Sequence, residues 1–141
     1  MEGRLLITAL TIVTLAVVYI AAQRWHLARV NRRLTRQDTK ASPVLEALNP
    51  GVPAVVYFWS ETCVPCRMVQ RPAIEQVAST LGPERVQVIA INALEQPEVA
   101  SEWGVLSLPT TFIIGRDGLV RHVNHGVTRS TELEKQIAQA A

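Results

Sequence analysis

The stretch Phe58-Trp59-Ser60-Glu61-Thr62-Cys63-Val64-Pro65-Cys66-Arg67-Met68 (FWSETCVPCRM) contains both cysteines of the chain. A C-x-x-C pair admits three readings: a redox couple, part of a metal site, or two packing residues. The flanking sequence separates them. Pro53 to Trp59 (PAVVYFW) is a short β-branched and aromatic run bounded by turn residues, as expected of a strand buried on both faces. Cys66 to Leu81 places Val69, Ile74, Val77 and Leu81 at helical spacing, and Gly82-Pro83 stops the pattern. The cysteines therefore stand where a strand gives way to a helix. At a helix N-terminus, unpaired N–H groups and the helix dipole stabilise a thiolate, which makes Cys63 the expected nucleophile. Cys66, one turn along, can reach the Cys63 sulfur and release a mixed disulfide, and Pro65 stiffens the loop between them. A zinc or iron–sulfur site needs about four ligands, and the chain has no third cysteine. Two cysteines with one histidine, as copper ligands in a binding or assembly factor, remain the alternative.

Outward from this segment the pattern continues as one domain. Arg85 to Asn92 (RVQVIAIN) reads as a second strand, and Gln96 to Trp103 as a short helix opening at Pro97 with Gly104 beyond its end. Thr110 to Ile114 and Leu119 to Val123 flank Arg116-Asp117-Gly118, the signature of a hairpin. Ser130 to Ala141 closes as a helix, with Ser130 as N-cap and Leu133 and Ile137 facing inward. A crossover makes the first two strands parallel and the hairpin adds an antiparallel pair, so the expected class is α/β with a mixed four-stranded sheet and flanking helices.

These residues resemble the thioredoxin-like family. Phe58 to Met68 is similar to the family's F-W-A-x-W-C-G-P-C-K-M, and Gly104-Val105-Leu106-Ser107-Leu108-Pro109-Thr110 to its G-[VI]-x-[SG]-[IV]-P-T. The hairpin matches Arg116-Asp117-Gly118, and Gly126 the glycine after the last strand. The resemblance spans residues 53–141 and implies a protein disulfide oxidoreductase acting on protein thiols and disulfides. It implies catalytic Cys63 and Cys66, a substrate groove lined by Trp59, Pro65 and Pro109, a cis bond before Pro109, and no cofactor or metal. The chain also departs from the family. Tyr57 replaces a buried Asp beneath the cysteines, Ala90 a Lys on the next strand, Thr62 a Trp and Val64 a Gly. Pro72 falls one residue later than the family's helix proline, and the family's first strand and helix have no room. These departures weaken the case for a general reductant served by a thioredoxin reductase.

The N-terminus is of another kind. Leu5 to Ala22 contains 18 residues without a charge, which as a helix span about 27 Å, close to a bilayer's hydrocarbon core. A single-pass anchor over residues 1–23 is expected, with a cleaved signal peptide as the rival. Residues 24–52 form a basic neck and linker before the domain at 53–141. Residues 1 to 40 carry seven basic and two acidic side chains, the remainder seven and ten. Trp25 and the abutting arginines suit lipid headgroups rather than nucleic acid, and Leu27, Val30 and Leu34 recur at helical spacing. Six basic residues follow the span and one precedes it, which favours a cytoplasmic domain; the extracytoplasmic face is the alternative. Anchoring places the redox partner at the membrane too. His26, His122 and His125 have no evident partners and read as surface residues.

Overall fold

The computed structural model describes residues 2–36 and 43–141. The first helix, α1 (Glu2–Arg36), is uninterrupted, because nothing between its apolar span and the neck breaks it: Gly3 stands in its first turn and no proline follows. It thus carries the neck as well as the apolar span, and Leu10–Arg29 is long and apolar enough to cross a bilayer, with a mean hydropathy of 1.3. The side chains of Val30 and Leu34, and linker residues 37–42, lie outside the described set. A four-residue helix, α2 (Pro43–Glu46), precedes β1 (Ala54–Trp59).

After β1 come a π-helical turn (Cys66–Gln70), α3 (Arg71–Leu81), β2 (Gln87–Asn92), α4 (Pro97–Glu102), β3 (Thr110–Ile114), β4 (Val120–His125) and α5 (Ser130–Ala140). The sheet order is β2-β1-β3-β4. β1 and β2 are parallel, and β1 with β3 and β3 with β4 are antiparallel, as the crossover and hairpin predict. Among the described residues no strand lies outside β2, consistent with the missing first strand of the resemblance.

Period-2 alternation sends β1 side chains to two cores. Val56 and Phe58 join Phe112, Ile114 and Trp103 on one face, where Val44 of α2 and Leu27 of α1 also pack. Here three aromatic rings meet edge to face or tilted, Trp103 and Phe112 at 5.0 Å between centroids. Val55 and Tyr57 join Ile74, Val77, Ile113, Leu133 and Ile137 under α3 and α5 on the other.

Three local expectations are corrected. Val69 is 49% exposed: the Arg71 N–H reaches back five residues to the Cys66 carbonyl, and in this widened turn Gln70, not Val69, follows Cys66 on the inner face. That extra residue also accounts for the late Pro72, which has no N–H to offer the turn. Ser130 is the first helical residue rather than the cap; Arg129 holds the cap position in extended conformation, and its carbonyl accepts the Glu132 and Leu133 N–H groups. Leu119 belongs to the turn, its N–H bonded to Asp117 Oδ1 at 3.1 Å. Gly118 supplies the positive φ there, +77°, and β4 extends instead to His125.

Candidate active site

The C-terminal end of β1 delivers the chain into a tight loop. Ser60 is buried, its carbonyl accepts the Cys63 N–H at 3.2 Å, and its hydroxyl shares a 3.3 Å hydrogen bond with Thr62. Pro65 is exposed with φ −62° and ψ −28°, already helical, so its ring presets the turn that Cys66 begins. Cys63 and Cys66 form a disulfide, with Cα atoms 5.3 Å apart. The two sulfurs are not equivalent. Cys66 is 0% exposed, whereas Cys63 is part-exposed. The Cys66 N–H points at Cys63 Sγ from 3.3 Å, the kind of donor that stabilises negative charge there.

Beneath the pair, Tyr57 is 2% exposed and donates its hydroxyl to the Cys66 carbonyl at 2.8 Å. Burial pushes its phenol above the ordinary value, with the nearby Arg71 guanidinium pulling the other way. The register sets Ala90 directly across from Tyr57, so the two departures from the family pattern are cross-strand neighbours. The phenol fixes the backbone of the second cysteine, and Ala90 leaves no cation opposite it. Glu61 sits exposed on the loop.

Trp59 is half-buried, with the Arg71 guanidinium 4.5 Å above its ring centroid, a cation–π contact that holds the indole against the start of α3. The Leu108-Pro109 bond is cis. Phe58 pairs with Thr110, so Pro109 falls beside the next residue of β1, Trp59. Cys63, Trp59 and Leu108 pack against the same core cluster. The Pro109 carbonyl accepts the Gly126 N–H at 2.8 Å, tying that loop to the end of β4. The structure thus brings Cys63, Cys66, Trp59 and Pro109 to one end of the sheet, with Pro65 on their outer side. Among the described residues no His, Asp or Glu joins the sulfurs to make a group of three metal-binding side chains.

Sequence reading missed two contributors. Gln70 is 0% exposed; its amide accepts from the Thr128 N–H at 2.7 Å and donates to the Thr128 carbonyl at 3.2 Å, clamping the redox turn to the loop before α5. His26 and His125, expected to lack partners, stack edge on at 6.0 Å between centroids. His122, read from the sequence as a surface residue, is instead half-buried beside Glu132 and Lys135 of α5.

The thioredoxin profile matches residues 39–139, most of the chain. The chain belongs to the thioredoxin family. Among relatives, thioredoxin 1 of Nostoc sp. is 36% identical over 104 residues, covering 72% of this chain and 95% of that one. The thioredoxin of Rhodospirillum rubrum is 38% identical over 98 residues, covering 70% and 91%. Among solved structures, oxidised mitochondrial thioredoxin 3 from Saccharomyces cerevisiae superposes with a TM-score of 0.57 at 26% identity, covering 70% of this chain and 85% of that one. With its Cys63–Cys66 disulfide, this thioredoxin domain is a thiol–disulfide oxidoreductase whose substrates are protein thiols and disulfides.

Proposed function

We propose that Cys63 is the attacking cysteine and Cys66 the resolving one in a membrane-tethered thioredoxin, with Trp59, Pro65 and Pro109 lining the groove that receives the partner chain. The difference in burial between the two sulfurs carries this reading. In the reduced protein the Cys63 thiolate attacks one sulfur of a partner disulfide, and the other partner sulfur leaves as a thiolate. The Cys66 thiolate then attacks Cys63 Sγ, forming the intramolecular disulfide and expelling the partner's second thiolate, so two electrons pass to the partner. The reverse sequence oxidises a partner dithiol. Cys66→Ala should trap partner proteins as mixed disulfides on Cys63. If the mixed disulfides instead form through Cys66 in Cys63→Ala, the assignment is reversed.

The tether belongs to the same proposal. The uncharged run Leu5–Ala22 and the arginines that follow it support an anchor over residues 1–23 and a neck over 24–52 leading to the domain at 53–141. The charge bias favours the cytoplasmic face, and the anchoring itself suggests a partner that is also at the membrane. A membrane-impermeant thiol reagent applied to intact cells after mild reduction should leave Cys63 unmodified; rapid labelling would place the domain on the other face.

A further inference from the structure

The way α1 lies on the domain sets which end of the sheet meets the membrane. His26 touches His125, the last residue of β4, and Leu27 packs into the core beside Val123. Tyr19, Ala22 and Gln23 line, with Val123 and His125, a cleft of about 290 Å³. Beyond Leu27 the helix runs on to Arg36, and the chain re-enters the fold at Pro43. Leu45 and Leu48, just after that point, line a second cleft with Gly115 to Gly118 at the hairpin turn, the opposite end of the sheet. His26 meets the last residue of β4, while the next residue, Leu27, packs into the core that Val44, Leu45 and Leu48 join, so the helix runs from His125 toward the hairpin end, and seven peptide steps of at most about 25 Å then reach Pro43. The N-terminal half of α1 therefore leaves past His125.

Register converts this into a position for the disulfide. Phe58, Thr110 and His125 form one row across the sheet. Trp59 and the Cys63–Cys66 loop follow Phe58 and lie beyond that row, on the side toward which the apolar span departs. From Ala22, the end of the uncharged run, to His26 is only about 6 Å of helix, comparable to the headgroup zone of about 5 to 8 Å on each side of a bilayer. The loops at this end also present an apolar rim. Leu106 is 93% exposed, and Val64, Met68, Leu94 and Val127 are exposed with it.

We infer that the redox face is held against the membrane surface, so that its partner is a cysteine pair of an integral membrane protein lying at headgroup level. This rests on the membrane-tethered reading above. The exchange is the one already written: the partner's sulfurs supply or accept the two electrons, and no further reactant is needed. Disulfides carried well above the bilayer would have to enter between the domain and the bilayer.

The test uses the full chain in vesicles of phosphatidylcholine and phosphatidylglycerol. A fluorophore on Cys63 of Cys66→Ala should be strongly quenched by lipids carrying a headgroup quencher. The same dye on Asp117→Cys in a chain lacking both native cysteines should be quenched far less. Equal quenching, or the reverse order, overturns the inference. In the same vesicles, a disulfide placed directly after the apolar span of a transmembrane peptide should react on the order of tenfold or more faster than the same disulfide on a long flexible spacer. Equal rates at the two heights would refute the orientation while leaving the oxidoreductase assignment intact. Failure of Cys63 and Cys66 to exchange with either would instead sink the proposed function.

Discussion

Removing one oxygen tests the claim that Tyr57 holds the backbone of the resolving cysteine. In Tyr57→Phe the ring remains packed between β1 neighbours and α3, and only the 2.8 Å bond to the Cys66 carbonyl is lost. That carbonyl keeps the Arg71 N–H, so it is not orphaned, and the loss should be that of one net hydrogen bond, about 1 kcal/mol. For a domain of this size that lowers the thermal midpoint by about 4 to 8 °C. The pH dependence gives a second signature. Burial raises the Tyr57 pKa above its ordinary 10.0, so the folded state retains a proton that the unfolded chain releases. Its contribution is complete below pH 10 and is lost as pH rises through the folded value. The gap between wild type and Tyr57→Phe should therefore be widest near neutrality and narrow above pH 10. Thermal unfolding of the oxidised full chain in mild detergent, followed by circular dichroism from pH 7 to 11, reads both effects; Tyr19 is common to the two proteins and cancels. Equal stability at pH 7, or a gap that stays constant into alkali, would refute the role given to the phenol.

Three further substitutions probe the frame around the site. Gln70→Leu removes both bonds to Thr128 and leaves a backbone N–H and C=O unpartnered, so urea titration should show a loss of about 2 to 4 kcal/mol. Burial lowers the His122 pKa below 6.5, against the raising effect of Glu132. The stability this provides is present above pH 6.5 and disappears as pH falls through the folded value. The midpoint of wild type should thus drop between pH 7.5 and 5 by more than that of His122→Gln. Trp103→Ala deletes the ring contacts with Phe58 and Phe112 and should cost about 3 to 5 kcal/mol, measured as a lowered denaturation midpoint with the redox pair still reactive.

How much of this was legible before any coordinates depended on the range of the interaction. The apolar run before Trp59, the Asp117-Gly118 turn and the inward stripe Leu133 and Ile137 are local patterns, and each produced the element it predicts. The cysteine pair was legible for the same reason, since its spacing and its place between strand and helix lie in one short segment. The π-turn was not, because Val69 and Gln70 are both compatible with an inner face until the Arg71 N–H chooses the Cys66 carbonyl. The only hint was Pro72, one position late. Gln70 reads as an ordinary polar helix residue until Thr128, far along the chain, comes to rest against it. His26 and His125 are 99 positions apart in number and meet only because α1 folds back along β4.

The outer edge of β2, which no strand covers among the described residues, has a consequence for how copies of this protein meet. Its sequence, Gln87 to Asn92 (QVIAIN), carries no charge, and Val88 and Ala90 are exposed beside it. Such an edge is a template for another strand of its own kind, and natural sheets usually blunt it with charge or cover. Antiparallel pairing of two β2 edges requires one copy to stand upside down relative to the other. In the proposed tethered form, with the redox end of the sheet toward the bilayer, copies anchored through α1 all stand the same way up, and that encounter is forbidden. Cutting the chain before α2 removes the restraint, and the liberated fragment is the form that should stick to itself.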